Sequence, residues 1–275
     1  MTSLFSCPIC AHPLQRDGRT YRCSQGHCYD MAREGYVHLL PANKKHSANP
    51  GDDREMAAAR TRFLDGGWYA PLRDTLCRLT LEHTPHQCAV LDAGCGEGYY
   101  TQGLYQTLER AGRQARVAGI DLSKFALKKA ARRAPQGEFA VASVYHLPVA
   151  DSAVDVLVDC FAPLAAEEYR RVVRPGGVFL YVVPAPDHLM ELKQVLYPQP
   201  YRNPEEAVTY PGFSYLDILP VTQTMHIRDR QTLMDLFRMT PYAWKTPKEG
   251  VERLSALEGL DVTMDFRVHL FAREG

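Results

Sequence analysis

Apolar and polar positions alternate in two different ways along the chain. Between residues 85 and 185, short apolar runs alternate with stretches of helical periodicity, which predicts buried strands separated by helices. The predicted strands are Ala89–Ala93, Arg116–Asp121, Glu138–Ala142, Val154–Cys160 and Val178–Val183. Strict alternation over Leu260–Leu270 predicts an antiparallel strand with one wetter side, and Leu216–Ile227 is its expected partner. The pattern therefore predicts an α/β fold with a doubly wound sheet and an antiparallel last strand.

Helix boundaries are predicted from capping residues and glycines. Asp52 or Asp53 is placed to cap a helix that ends before a Gly-Gly pair, and Ser123 caps a helix with alanines on its inner side. Further helices are predicted over Glu167–Val173 and Arg230–Met239. This alternation of strand and helix is the order that a doubly wound sheet requires.

A glycine-rich loop follows the first of these strands and is the first candidate binding site. Glycines at alternate positions let the backbone approach a ligand closely, and doubly wound sheets bind nucleotides between the end of a strand and the start of a helix. Asp121 lies 23 residues after Gly98, at the end of the next strand, where an acid accepts ribose hydroxyls. The predicted cofactor-binding residues are Asp92, Gly94, Gly96, Glu97 and Asp121. The loop lacks the later glycine of dinucleotide sites and resembles the first motif of class I methyltransferases, which favours S-adenosylmethionine over NAD.

Clustered cysteines near the start of the chain form the second candidate site. Cys7 and Cys10 form one knuckle, and Cys23 with either His27 or Cys28 forms another after a predicted hairpin. Two such knuckles suit a closed tetrahedral zinc site, which would hold together a segment too small to build its own core. The expected zinc is structural, and a disulfide pair is the alternative interpretation.

Charge and hydropathy limit the partners and the compartment. Lys plus Arg and Asp plus Glu both number 32, so the chain is not a generally basic nucleic-acid binder. The basic edge of the hairpin, made by Arg16, Arg19 and Arg22, is either plain solvated surface or a local contact with nucleic acid. No membrane span or secretory leader is predicted, and we therefore expect a cytoplasmic protein with no membrane partner.

Seven stretches of the sequence, taken in order, resemble one family. They are Cys7–Cys10 with Cys23 and His27, Asp30–Pro41, Pro50–Asp52, Phe63–Leu72, Leu91–Thr101, His188–Lys193 and Met239–Trp244. Together they resemble the bacterial 23S (large-subunit) ribosomal RNA guanine-N1 methyltransferases, and the similarity covers essentially the whole chain. The resemblance implies a Rossmann-like class I S-adenosylmethionine methyltransferase with a small N-terminal zinc ribbon. We expect the ribbon over residues 1–36, a linker and connecting helix over 37–60, and the methyltransferase domain over 61–275.

The resemblance also implies roles for particular residues. The family's zinc ligands fall on Cys7, Cys10, Cys23 and His27, and its cofactor contacts fall on Tyr69, Gly96, Glu97 and His188. It further implies a homodimer whose domains form a cleft for a hairpin of ribosomal RNA.

The catalytic residue is left open by the sequence. Methylation of guanine N1 needs the base to be unpaired and its proton to be accepted, and Asp159, Glu167 and His188 lie near the ends of predicted strands. Phe161 or Tyr145 is expected to stack on the target base. Two other functions stay open, namely a small-molecule methyltransferase and a non-catalytic, zinc-dependent RNA-binding protein with a degenerate methyltransferase fold.

Overall fold

Four short strands at the N-terminus form an antiparallel sheet. The computed structural model describes residues 2–41, 53–205 and 209–275. The small sheet contains β1 (Thr2–Ser6), β2 (Pro13–Asp17), β3 (Thr20–Arg22) and β4 (Cys28–Asp30), paired in that order. The predicted hairpin between the two cysteine knuckles is confirmed as β2 and β3, with Asp17 opposite Thr20.

The larger sheet has eight strands in the described part of the chain. Its members are β5 (Tyr36–His38), β6 (Gln87–Ala93), β7 (Gln114–Asp121), β8 (Glu138–Val141), β9 (Val154–Cys160), β10 (Val173–Pro184), β11 (Phe213–Ile227) and β12 (Leu260–Arg273). They are ordered β11-β12-β10-β9-β6-β7-β8-β5. Strands β5 to β10 pair in parallel, whereas β12 is antiparallel to both β10 and β11. The predicted doubly wound sheet with an antiparallel last strand is therefore confirmed.

Helices cover the larger sheet. They are α1 (Arg54–Asp65), α2 (Ala70–Glu82), α3 (Tyr99–Arg110), α4 (Lys124–Arg133), α5 (Ala166–Val172), α6 (Met190–Leu196), α7 (Arg230–Arg238), α8 (Tyr242–Lys245) and α9 (Lys248–Ser255). The caps at Asp53 and Ser123 are confirmed, because their side chains accept hydrogen bonds from the backbone N–H groups of Met56 and Ala126. Asp52, the other possible cap, lies outside the described residues.

The start of the expected linker belongs to the larger sheet instead. Val37 and His38 lie in β5, which pairs in parallel with β8 at one end of the sheet. Tyr36 and Val37 are buried there, so a short apolar segment gains a place in the core by adding an edge strand. The rest of the linker from residue 42 to residue 52 lies outside the described residues, and residues 54–60 begin α1.

Hydrogen bonds fix the small sheet to the larger one. Glu138, the first residue of β8, accepts hydrogen bonds from the hydroxyl of Ser3, the backbone N–H of Leu4 at 3.1 Å and the hydroxyl of Tyr21 at 3.3 Å. The two units therefore share a polar contact at one carboxylate. Among the described residues, no helix is both long and apolar enough to span a membrane.

Candidate active site and metal centre

The loop between β6 and α3 is shaped by three glycines. Gly94, Gly96 and Gly98 have φ values of +83°, +54° and +83°, a region that glycine enters without strain. A Cβ atom on Gly94 would lie 2.4 Å from the Cβ of Ala162, and one on Gly98 would lie 2.8 Å from the Cα of Ala130. The loop is thus packed tightly between its neighbours, and side chains at these glycines would push them apart.

Asp121 ties this loop to the end of β7. Its Oδ2 accepts the backbone N–H of Gly96 at 3.0 Å, and its Oδ1 accepts that of Ser123 at 2.7 Å. The predicted ribose acid therefore also holds the glycine loop in place, a role that sequence spacing did not indicate.

Two buried carboxylates, one near the end of β6 and one in the glycine loop, keep unused hydrogen-bonding capacity. Asp92 is 1% exposed; its Oδ2 accepts the hydroxyl of Thr101 at 2.5 Å, and its Oδ1 has no partner among the described residues. Glu97 is 2% exposed, and its Oε2 lies 2.6 Å from Nη2 of Arg133. This ion pair partners Oε2, whereas Oε1 of Glu97 has no hydrogen-bond partner among the described residues. Burial raises the pKa of Asp92 to about 7 and also raises the pKa of Glu97.

Unsatisfied buried carboxylates are costly, and a bound ligand with cationic or hydrogen-donating groups would offset that cost. S-Adenosylmethionine carries an ammonium, a sulfonium and two ribose hydroxyls. The residues present therefore fit this cofactor.

An aromatic wall joins the two more distant residues that the resemblance assigned to the cofactor. Tyr69 is 3% exposed, and its ring centroid lies 5.1 Å from that of Phe266. The ring centroid of His188 also lies close to that of Phe266, at 4.3 Å. The alternating pattern of β12 marks Phe266 only as a core residue, so the sequence did not indicate its contacts with Tyr69 and His188.

His188 is a neutral hydrogen-bond donor in this environment. The backbone N–H of Asp265 donates to its Nδ1 at 3.2 Å, so the ring proton lies on Nε2. Burial, helped by the positive charge of Lys193, lowers the pKa of His188 to about 3. At neutral pH the ring offers a donor to a ligand, and it lacks the free basic nitrogen that proton removal requires.

Asp159 uses both carboxylate oxygens inside the protein. It is fully buried, its Oδ1 accepts the backbone N–H of Ala162 at 2.9 Å, and its Oδ2 accepts the hydroxyl of Tyr169 at 2.7 Å. The third candidate, Glu167, is exposed. It lines a surface depression together with Asp151, a residue that lies just before the start of β9. The structure thus gives Asp159 a holding role and places Glu167 beside the amino end of a strand, away from the carboxyl ends where the loop lies.

The β2–β3 hairpin brings the two cysteine knuckles together. The Sγ atoms of Cys7, Cys10 and Cys23 and a ring nitrogen of His27 all lie within 4.8 Å of one another. Nδ1 of His27 is 3.6 Å from the sulfur of Cys7 and 3.3 Å from that of Cys23. The Sγ atoms of Cys10 and Cys23 are 3.6 Å apart. Tetrahedral zinc with Zn–S bonds of about 2.3 Å holds two sulfurs roughly 3.8 Å apart, so the four donors fit zinc.

Cys28 lies outside this cluster. It is exposed, and its thiol donates to the backbone carbonyl of Gly26 at 3.3 Å. All eight cysteines lie within the described residues and all are free thiols. The geometry therefore favours His27 as the fourth donor and gives no support to a disulfide pair.

This fold, the glycine loop and the closed cysteine–histidine cluster define the protein as an S-adenosylmethionine-dependent methyltransferase of class I with a structural zinc ribbon. Two families match the chain: "RlmA, N-terminal" over residues 5–48 and "Methyltransferase domain" over residues 85–225. The chain belongs to the 23S rRNA (guanine-N1)-methyltransferase family.

Relatives that carry this family's name match the chain over nearly its full length. The chain is 36% identical over 268 residues to the 23S rRNA (guanine(748)-N(1))-methyltransferase of Streptomyces fradiae, covering 94% of this chain and 92% of that one. It is 33% identical over 273 residues, 96% of this chain and 95% of the other, to YxjB of Bacillus subtilis (strain 168), which is provisionally named a 23S rRNA (guanine-N(1)-)-methyltransferase. Among solved structures, YcgJ from Bacillus subtilis matches with a TM-score of 0.49 and 12% identity, covering 74% of this chain and 98% of that one.

Proposed function

We propose that this protein transfers a methyl group from S-adenosylmethionine to N1 of a guanine in a hairpin loop of 23S ribosomal RNA. One observation carries the proposal. The chain is 36% identical, over 94% of its length, to a 23S rRNA (guanine(748)-N(1))-methyltransferase. The glycine loop and the clustered zinc donors agree with this function.

In this proposal different residues contact different parts of S-adenosylmethionine. Asp121, at the end of β7, takes the ribose hydroxyls. Asp92 and Glu97 each keep one buried oxygen without a partner among the described residues, Oδ1 and Oε1, and these oxygens face the donor groups of the methionine part. Tyr69 and His188 form the wall on the far side, and His188 offers its Nε2–H.

Alignment is the main contribution of this chain to catalysis. When bound, S-adenosylmethionine would supply a methyl group that its sulfonium has already activated. The S–CH3 bonding pair would stay with sulfur, which would leave as S-adenosylhomocysteine, and the guanine N1 proton would pass to solvent. The chain fixes the glycine loop through Asp121 and the neighbouring turn through Asp159, so donor and acceptor meet in a restricted geometry. Because guanine N1 lies on the pairing edge, the base must leave its stack before it can enter.

The zinc ribbon is proposed to bring the RNA to this site. Because the formal net charge is zero, attraction for phosphate must be local. The exposed arginines of the hairpin, Arg16 and Arg22, provide such a basic edge. Glu138 ties the ribbon to β8, so RNA held by the ribbon has a fixed relation to the larger sheet. We further propose a homodimer, as the family resemblance implies, which light scattering of the purified protein would test.

An acceptor experiment separates this function from the two others left open. The protein is incubated with S-adenosylmethionine labelled in its methyl group, together with 23S RNA lacking N1 methylation and a fraction of small metabolites. Label in RNA supports the proposal, and label confined to small molecules indicates a small-molecule methyltransferase. Cofactor binding with no transfer to either pool indicates a non-catalytic RNA-binding protein.

A further inference from the structure

An exposed aromatic residue lies in a strained conformation beside the glycine loop. Phe161 directly follows β9, is 45% exposed and has a φ of +69°. A bulky L-residue adopts this left-handed conformation at a cost, and such strain persists only where the surroundings impose it. The structure must therefore contain interactions that hold Phe161 in place.

Two neighbours hold this turn from opposite sides. Asp159 accepts the backbone N–H of Ala162 at 2.9 Å and is itself fixed by the hydroxyl of Tyr169 at 2.7 Å. On the other side Ala162 packs so closely on Gly94 that a Cβ there would lie 2.4 Å away. The position of Phe161 is thus tied to the backbone of the glycine loop.

Phe161 packs against the buried ring of Phe266. The two ring centroids are 4.9 Å apart. Phe266 is only 1% exposed and also contacts His188 and Tyr69. Phe161 is therefore the exposed outer member of the aromatic wall. Tyr145, the other residue expected to stack on the base, instead follows β8, which lies three strands away from β9 in the sheet order.

We propose that Phe161 is the platform on which the target guanine stacks, and that Asp159 is a positioning residue that holds this platform. The inference rests on the proposed function, since it names the group that would receive the flipped base. A flat apolar ring beside the cofactor loop suits any purine face, and stacking of this kind contributes to affinity without reading the base edge.

Binding of two RNA hairpins tests the platform. One hairpin carries the guanine that becomes methylated, and the other is abasic at that nucleotide. We expect Phe161→Leu to bind the guanine hairpin about 10- to 100-fold more weakly, which equals ~1.4 to 2.8 kcal/mol at 1.4 kcal/mol per tenfold change. The abasic hairpin should bind both proteins alike, and Phe161→Tyr should restore the difference. The matched control is Ile218→Ala, which alters an exposed apolar side chain on β11.

The platform is refuted if Phe161→Leu binds both hairpins as the wild type does, or weakens both equally. A wild-type protein that forms no 1-methylguanosine would instead overturn the proposed function. The two failures are therefore distinguishable, because the first leaves wild-type methylation intact.

Substitution of Asp159 tests the positioning role. In Asp159→Asn, the amide oxygen still accepts the N–H of Ala162 and the amide nitrogen donates to the oxygen of Tyr169. We expect kcat within about threefold of wild type and an unchanged pH profile, whereas Asp159→Ala should lose guanine stacking as Phe161→Leu does. If Asp159 were a general base, its conversion to Asn would lower kcat by about 10²- to 10⁴-fold. A loss of that size, or a shifted pH profile in Asp159→Asn, would overturn the assignment even if Asp159→Ala fails to fold.

Discussion

The carboxylate of Asp121 accepts the backbone N–H of Gly96 at 3.0 Å, so one side chain both fixes the glycine loop and stands at the expected ribose position. We expect Asp121→Ala to weaken S-adenosylmethionine binding by about 10- to 100-fold, as loss of a hydrogen bond to a charged group of ~1.5 to 3 kcal/mol implies. Calorimetric titration measures this. Asp121→Asn keeps one acceptor oxygen, so its affinity for S-adenosylmethionine should lie between those of the wild type and Asp121→Ala. Unaltered affinity in Asp121→Ala would contradict the ribose assignment.

Alanine substitutions at two glycines with similar φ values distinguish the cost of backbone strain from the cost of steric crowding. Gly94 and Gly112 have φ values of +83° and +70°, but only a Cβ on Gly94 would meet another atom within 4 Å. Gly112→Ala should therefore lose about 1 to 2 kcal/mol of unfolding free energy from strain alone. Gly94→Ala should lose more and should also bind cofactor more weakly. Urea unfolding of both variants checks this, and equal losses would show that the contact with Ala162 is unimportant.

The buried, neutral state of His188 makes stability depend on pH. Its pKa is lowered from 6.5 to about 3 in the folded protein, so the unfolded chain binds a proton first as the pH falls. Stability from this residue is complete above pH 6.5 and declines as the pH falls from there towards 3. Over that window the free energy of unfolding of the wild type should fall by ~1.4 kcal/mol per pH unit relative to that of His188→Asn. This is the slope expected when unfolding binds one additional proton. Parallel stability curves for the two proteins would rule out the buried neutral ring.

Two residues that are adjacent in sequence have different relations to the zinc cluster. His27 lies in the cluster whereas Cys28 is exposed outside it. We expect Cys7→Ser to lose zinc and to lower RNA methylation more than cofactor affinity, because the ribbon depends on the metal for folding. Cys28→Ser is the control and should keep its zinc. Elemental analysis of the purified proteins measures both, and zinc loss in Cys28→Ser would reverse the assignment.

Local sequence patterns were sufficient for most of the larger sheet. β6 and β9 are buried over nearly all their residues and β7 is buried over Val117–Ile120, and such largely apolar runs stand out without knowledge of their partners. β5 was missed because three residues are too few to show a period, and its pairing with β8 spans about a hundred residues of chain.

The candidate site was predictable where it depends on one stretch of sequence. The glycine loop and the zinc knuckles have fixed local spacings. By contrast, the contact of Phe266 with Phe161 and the hydrogen bond from Asp265 to His188 join segments distant in sequence. Those contacts depend on the packing of β12 against the rest of the sheet, and no local pattern reveals them.

Nucleoside analysis of the RNA product tests the central claim most directly. 23S RNA that lacks N1 methylation is incubated with the protein and S-adenosylmethionine, digested to nucleosides and separated against standards. We predict 1-methylguanosine at about one residue per RNA molecule that the protein modifies, and no other new methylated nucleoside. RNA that gains no 1-methylguanosine, or gains a different methylated nucleoside, would contradict the account.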